Sequence, residues 1–563
     1  MTLTLFDFHA KSGRMALRMS DLRENSWLET RSLEGKLLGK ISNDYLPQGF
    51  HWSPDGSEIA FGSNDGFLYV YRLGDLKPKS VFTERALQAG FCEWSPDGSQ
   101  LVFSAYERES TASPNIYCLD LGTDETRQLT DDPKMVDRFP HWSPSGNWIS
   151  IKRQYLDEPE VPPRVYLLEM QSRNCLPLLE SDETDYYHGR FGWSPDSSTL
   201  LVTQMQKGIN QLKAIRFADK VQTWSYELTS IRGGAFSPSG DRILCICVDE
   251  LLWFSYPQGK LIERLSLESM SPVKISLTGP QIGFDLERNT VYFLCENSCL
   301  YRWNIGGVCE TIQEEGQQTK PAFEHEAYTI VSRDGRSIPV QRFIPPHPRK
   351  PAILYVHGGP GEAIDPDDPF MLRLLEEGYE FVCAAYRGST GYGGEHAEAN
   401  RGEYGRADVW DLIACGLDWT KRSGKDRPLI LAGYSYGGFL TFLSLAQKEN
   451  IWAGGIALWS VMDLHHLGLH RHRALPADPV QRGKAEVERS PIKQAGNIHV
   501  PMLIFHGVLD TAATTVEAQS IQNTILRHGG ECDLVIYEDD THSLMRHRDD
   551  IHQRVMKFLE RFK

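Results

Sequence analysis

Eighteen consecutive apolar residues occur nowhere in this chain of 563, so a membrane-spanning helix is not part of its expected plan. Its opening, MTLTLFDFHAKSGRM, lacks the basic start, apolar run and small-residue cleavage site of a secretory leader. Basic charge is in deficit: 59 Lys and Arg stand against 75 Asp and Glu, a formal net charge of −16. A phosphate-binding surface needs clustered cations, so nucleic acid is not an expected partner. Thiols paired at metal-finger spacing are missing too. The eleven cysteines are scattered, and neither Cys245-x-Cys247 nor Cys295-x-x-x-Cys299 has a second Cys or His pair to complete a zinc site. Free thiols in a reducing cytoplasm are the expectation.

What is present is length, and a composition rich in Gly, Pro and Trp. A chain of this size exceeds one ordinary hydrophobic core, so two or more domains are expected. A phrase recurs through the first half: HWSPDGSEIAF at 51–61, EWSPDGSQLVF at 93–103, HWSPSGNWISI at 141–151, GWSPDSSTLLVT at 192–203 and AFSPSGDRILC at 235–245. Weaker copies are FDFHAKSGRMALR at 6–18 and FDLERNTVYFL at 284–294. The anchors Trp52, Trp94, Trp142, Trp193, Phe236 and Phe284 stand 42, 48, 51, 43 and 48 residues apart, and a degenerate anchor near Phe8 or His9 extends the series.

Each unit reads as strand, tight turn, strand. Pro sets one turn dihedral, Gly accepts the unusual one, and Asp can take nearby backbone N–H groups. Second strands follow at 66–73, 115–121 and 164–170. Short antiparallel strands at a period in the forties are the mark of propeller blades, and the copies count to seven, with six or eight left open by the irregular ends. The Trp and turn residues are expected to be structural: the ring packs between blades.

The polar stretch TIQEEGQQTK at 311–320 reads as a linker, after which longer strands alternate with helical stretches. RADVWDLIACGLDWTK at 406–421 has helical spacing, with Val409, Leu412, Ile413, Gly416 and Leu417 on one face. The expected fold is a two-domain chain: an N-terminal seven-bladed β-propeller over 1–318, then a C-terminal α/β-hydrolase domain over 321–563.

The chemistry is expected in the second domain. Gly433-Tyr434-Ser435-Tyr436-Gly437 lies between an apolar strand and an amphipathic helix, the context in which a glycine-flanked serine is lifted above a sheet edge as a nucleophile. A serine hydroxyl is inert at neutral pH without a base in hydrogen-bond reach. In the order Ser, acid, His, Asp510 follows the strand PMLIFHGVL and His542 follows LVIYEDD, at spacings of 75 and 32 residues. His506 and His547 are weaker as bases, and Asp533, Asp539 and Asp540 precede the histidine too closely to serve as its acid. Acyl transfer also needs oxyanion donors. The N–H of Tyr436 is the first candidate, and the loop His357-Gly358-Gly359-Pro360 offers the Gly359 N–H as the second. No cofactor is called for, and the histidine-rich stretch DLHHLGLHRHRAL at 463–475 is read as a surface or substrate-channel helix rather than a metal site.

Three motifs together resemble the prolyl oligopeptidase family, in its acylaminoacyl-peptidase-like branch: His357-Gly-Gly-Pro360, Tyr386-Arg-Gly-Ser-Thr-Gly-Tyr-Gly393 and Gly433-Tyr-Ser-Tyr-Gly-Gly438. The similarity runs the whole chain, since family members place a propeller before the hydrolase. It implies cleavage of short peptides through an acyl-enzyme, with the propeller over the active site excluding folded proteins. It also implies an arginine between nucleophile and acid that holds a substrate carbonyl, for which Arg471 and Arg473 are the candidates. Where relatives carry tyrosine at the first loop position this chain has His357, which favours the Gly359 backbone as oxyanion donor. Thr511-Ala-Ala-Thr-Thr-Val516 stands where relatives show Val-Pro, and the N-terminal extension of many relatives is short or absent. The Glu-Glu pair of dipeptidyl aminopeptidases is not matched by Glu158 and Glu160, nor by the run at 181–189.

The expected function is thus a cytoplasmic serine peptidase acting on short peptides, with acylated or modified N-termini in its range. Two alternatives stay open: an esterase or amidase for a non-peptide metabolite, which the same triad would serve, and a propeller-based binding protein with a vestigial hydrolase half. A homo-oligomer formed through open blade edges is a further open point.

Overall fold

The computed structural model describes the chain except for residues 1, 21–25, 43–44, 46, 64, 85–86, 108–113, 156–162, 180–184, 188–191, 207–208, 228–230, 248–249, 268–274, 277–278, 286–287, 296–298, 314–321, 393, 425–426, 450, 465–474, 477–478 and 511–512. It divides into two compact units, one holding Met1–Asp21 and Asn25–Gln318, the other Thr319–Lys563.

In the first unit the repeats form seven four-stranded antiparallel sheets, a seven-bladed β-propeller. The second blade is representative: Pro47–Trp52, Glu58–Ser63, Leu68–Arg72 and Lys79–Phe82. Its turn is held as the residue types require. Asp55 accepts from the Ser53 hydroxyl at 2.6 Å and from the Ser57 N–H at 3.0 Å, while the Glu58 N–H donates to Ser53 Oγ at 3.0 Å. These donors, the Ser53 hydroxyl first, pull the Asp55 carboxyl down to about 2. The same bonds recur around Asp97 and Asp196. In the fifth blade Ser197 takes the turn's left-handed position at φ 60°, where five other copies have glycine and the seventh has Asn289 at φ 49°.

Blade-to-blade cohesion uses the residues flanking the aromatic anchor. The Trp94 indole N–H donates to the His51 carbonyl of the preceding blade at 3.0 Å. Asp7 in the first blade accepts the Trp52 N–H at 2.9 Å and lies 3.5 Å from the His51 ring; Glu93 repeats this on Trp142 and His141. Buried backbone N–H groups and imidazoles thus meet carboxylates across these two seams, which offsets the cost of burying them. The ring closes without strand exchange. The first blade, opened by Thr2–His9, and the last, opened by Ile282–Asp285, are each built of consecutive strands. They meet through Leu3, Phe6, Met15 and Leu17 packed with Tyr292, Leu294 and Leu300, and through a Phe6 N–H bond to the Gln281 side chain at 2.9 Å. The residues assigned to a linker are in part strand: Cys309–Gln313 completes the seventh blade, because its alternating side chains pair with Leu300–Asn304. The remainder of that stretch lies outside the described residues.

The second unit is an eight-stranded sheet, its strands numbered here within the unit: β1 (Glu324–Val331), β2 (Ser337–Ile344), β3 (Ala352–Val356), β4 (Phe381–Ala384), β5 (Leu429–Tyr434), β6 (Gly454–Leu458), β7 (Met502–Gly507) and β8 (Cys532–Tyr537). Their order is β1-β2-β4-β3-β5-β6-β7-β8. The first two strands are antiparallel to their neighbours, and the pairs from β4 through β8 are parallel. Central strands buried on both faces need continuous apolar runs, as in Ala352–Val356. Ile353 and Tyr355 face one cluster with helix α1 (Pro369–Glu376) and the terminal helix, while Ala352, Leu354 and Val356 face the other with α2 (Ala407–Ser423) and α3 (Tyr436–Leu445). On α2 the expected face holds for Val409, Leu412, Ile413 and Gly416, but Leu417 is 45% exposed. The correction follows from helix geometry: the buried stripe continues through Cys415 and Trp419, which turns Leu417 outward.

Candidate active site

Parallel strands share one direction, so the residues leaving β3, β5, β7 and β8 emerge at the same edge of the sheet. Ser435 is the single residue between β5 and α3, with φ 52° and ψ −118°. A non-glycine residue there is strained, as expected of a turn that must raise its side chain. The flanking glycines are set by close approach. A Cβ on Gly433 would strike the Gly437 carbonyl, one on Gly437 would strike the carbonyl oxygens of Val356 and His357, and one on Gly438 would strike Ser460. The Ser435 N–H is anchored to the Leu458 carbonyl of β6 at 3.0 Å.

The structure brings Ser435, His542 and Asp510 together. His542 Nδ1 lies 2.9 Å from Asp510 Oδ2, and His542 Nε2 lies 2.9 Å from Ser435 Oγ. An ionised carboxylate can only accept, so Nδ1 carries the proton toward Asp510 and Nε2 is left to accept the Ser435 hydroxyl proton. The Asp510 side chain is fully buried and the His542 ring is 32% exposed. Burial lowers the affinity of His542 for a proton, but the charges of Asp510 and then Glu362 outweigh it, and the ring sits above its ordinary value. The two loops abut: Gly507, at the end of β7, leaves no room for a Cβ beside the Asp540 carbonyl. Asp540 accepts the N–H groups of Thr541 and Arg546, and Asp539 pairs with His547 at 2.7 Å, so the other acids of this region hold the His542 loop in shape. His506 is buried, with Nε2 bonded to the Ala513 carbonyl at 2.9 Å and 3.8 Å from Asp510. Its Nε2 is engaged by that carbonyl, and the hydrogen bond to Ser435 Oγ comes from His542.

Tyr436 opens α3, and first-turn N–H groups have no acceptor within their own helix. Gly359 follows β3 with φ 110°. Gly437 packed on the Val356 and His357 carbonyls, and Gly358 packed on the Tyr434 ring, set this loop against the serine turn. A set of residues behind the loop was not assigned from sequence. Tyr386 donates its hydroxyl to the His357 and Gly358 carbonyls at 3.1 Å each, and stacks on the His357 ring at 4.5 Å. His357 Nε2 and Ser389 Oγ share a hydrogen bond of 2.8 Å. Burial holds the His357 ring down to about 4, so it is neutral. Arg387 ties the same segment down through Asp411 at 2.7 Å and Asp334 at 2.7 Å. The signal was there: this is the motif at 386–393, whose tyrosine and serine hold the His357 loop while its arginine pins the segment to Asp411 and Asp334. Beneath the serine turn, the Tyr436 hydroxyl donates to Asp408 at 2.5 Å, and burial pushes Asp408 up to about 7.

The candidate substrate arginines Arg471 and Arg473, and the histidines His465, His466, His470 and His472, lie outside the described residues, as do Glu158 and Glu160. In the segment replacing Val-Pro, Thr514 caps helix α4 (Thr515–Arg527) with a reciprocal Glu517 bond, so its hydroxyl is used structurally. Among the described residues no helix is long and apolar enough to cross a membrane.

Residues 368–562 match the profile of the prolyl oligopeptidase family, and residues 45–247 that of a TolB beta propeller domain. The uncharacterized peptidase YuxL of Bacillus subtilis (strain 168) is 31% identical over 207 residues, which cover 35% of this chain and 31% of that protein. Dipeptidyl aminopeptidase BIII of Pseudoxanthomonas mexicana is 27% identical over 212 residues, covering 35% and 30%. The chain therefore spans about a third of the length of these curated relatives. Among solved structures, that of puromycin hydrolase superposes with a TM-score of 0.72 at 17% identity, over 99% of this chain and 94% of that one. That of Pyrococcus horikoshii acylaminoacyl peptidase gives 0.69 at 16% identity, over 100% and 96%. At such identities the likeness is one of fold. The prolyl oligopeptidase profile thus falls on the α/β unit that carries Ser435, Asp510 and His542, and the propeller profile falls on the blades that precede it.

Proposed function

We propose that this protein is a serine peptidase that hydrolyses short peptides through an acyl-enzyme, with acylated or otherwise modified amino-terminal residues within its range. The observation that carries the reading is the continuous hydrogen-bonded path from Ser435 Oγ through His542 to the buried Asp510 carboxylate. Ser435 Oγ attacks the scissile carbonyl carbon as His542 Nε2 takes its proton. The oxyanion forms between the Tyr436 and Gly359 N–H groups. Collapse breaks the C–N bond, the leaving amine takes the proton from His542, and the acyl group stays on Ser435. Water then repeats the sequence and releases the acid. Asp510 keeps the imidazole in the tautomer that accepts from Ser435 and stabilises the imidazolium.

The match to the family profile supports the reading, as do the printed names of relatives that include dipeptidyl aminopeptidases and acylamino-acid-releasing enzymes. Most of the eleven cysteines are buried, which supports a reducing, cytoplasmic compartment for it. The test is a chromogenic panel of free and acylated aminoacyl, proline and simple ester substrates, with Ser435→Ala as the blank. Hydrolysis of peptide members is expected, together with fluorophosphonate labelling of Ser435, and both are lost in the variant. Turnover of esters alone would favour an esterase, and turnover that survives Ser435→Ala would overturn the assignment.

A further inference from the structure

One carboxylate in the site is unused by the chemistry above. Glu362 stands on the loop that carries Gly359, its backbone carbonyl accepting the Thr390 N–H at 2.9 Å. Its Oε2 accepts the hydroxyl of Tyr434 at 2.7 Å, and Tyr434 is the residue immediately before Ser435. The same oxygen lies 3.3 Å from where a Cβ on Gly358 would stand, so the carboxylate rests on the glycine loop itself. Glu362 keeps an exposed surface, but the protein packed around it pushes its carboxyl above the usual carboxylate range, against the pull of the Tyr434 hydrogen bond and of His542. Among the described residues no Lys or Arg lies within ion-pair distance of it, whereas Glu380 has Arg342 and Arg427, Asp411 has Arg387, and Asp550 has Arg554. Its charge reaches the reaction centre, because it is one of the two carboxylates that hold His542 up.

A carboxylate held by a tyrosine at the rim of a reaction centre, open to solvent and unpaired by any described cation, is a receptor for a positive charge. From this we infer that Glu362 is a specificity residue that binds a cationic group of the substrate, an ammonium or guanidinium, close to the scissile bond. The inference rests on the peptidase reading of the site and names the substrate class within it. The cation can be a free α-amine, a Lys or Arg side chain on the acyl side, or one on the leaving side. The chemistry of recognition is the same for all three, and the experiment separates them. Tyr434 fixes one carboxylate oxygen, so the other is directed to the ligand without the entropy of ordering a free side chain.

The test uses the full chain and matched quenched peptides that carry Lys or norleucine at one position on either side of the cut, with the amino terminus free or acetylated. The expected result is a preference for the cationic member at one of these positions on the order of tenfold in kcat/KM, weakening as salt is raised. Glu362→Gln keeps an acceptor for Tyr434 and removes only the charge, so the ratio of cationic to neutral substrate should fall toward one. Glu362→Lys should invert the ratio, with a Glu-containing member now preferred. A wild-type ratio near one at every position, or a ratio that Glu362→Gln leaves unchanged, overturns the inference. Neither result touches the assignment of Ser435, which the neutral members test separately with Ser435→Ala; absence of all hydrolysis would sink both.

Discussion

His542 is the residue on which the proposed chemistry turns, and its protonation dictates the pH profile. It acts as a base only when neutral. Asp510 and Glu362 raise its proton affinity, so activity should be lost on acidification with a midpoint above the ordinary histidine value of about 6.5. The sign can be checked with a second variant. Removing the negative charge at Glu362 with Glu362→Gln should move the acid limb of kcat/KM to lower pH, and a limb that stays fixed would show that this charge does not act on His542. Asp510→Asn leaves shape intact but presents the wrong partner to Nδ1, and should cost kcat on the order of 10^3- to 10^4-fold. A loss below tenfold in single-turnover assays would remove Asp510 from the role given to it. These residue types and their order could be read in the chain. The neighbours that tune them could not, because Glu362 and Tyr434 lie 72 positions apart and meet only when β3 and β5 pair.

At the level of elements, the decisive unit is the strand–turn–helix around Ser435. Its glycines were legible as punctuation, yet the reason for each is a contact with another segment. Gly437 has the carbonyls of Val356 and His357 where a side chain would go, and these belong to β3 and its loop. Gly437→Ala should therefore push the oxyanion loop away from the helix. We expect a stability loss of about 3 kcal/mol, since rigid backbone rather than a movable side chain must yield. Urea denaturation would measure it, and a loss under about 0.5 kcal/mol, the range of an ordinary surface change, would contradict the packing described. Helix α2 teaches the reverse lesson. Its period was read correctly at four positions, but Leu417 escaped because apolar residues on a helix define a stripe only approximately, and the sheet selects which edge of it is covered.

For the whole molecule, the propeller shows what side-chain packing can do in place of strand pairing. Its first and last blades hold one another through the Phe6 cluster and the Gln281 hydrogen bond rather than through a shared sheet. Truncating Phe6 to Ala should cost about 3 to 5 kcal/mol, the usual price of an aromatic core deletion. Hydrogen exchange should show protection falling first in the sheets of residues 2–41 and 282–313. Uniform loss across all seven blades would mean that closure is carried elsewhere.

Periodicity, turn chemistry and the serine motif are local properties, and the chain by itself determined them: a propeller of repeated blades, an α/β sheet after it, and the order of serine, acid and histidine. Hydrophobic spacing and Ser-Pro-Asp-Gly turns act over a few residues, so they survive reading in one dimension. Convergence is different. Whether three strand exits bring His542 within 2.9 Å of both Ser435 and Asp510, and which tyrosine props which glycine loop, depends on pairings between segments far apart in the chain. Only the folded sheet, which sets strand order and register, could decide that.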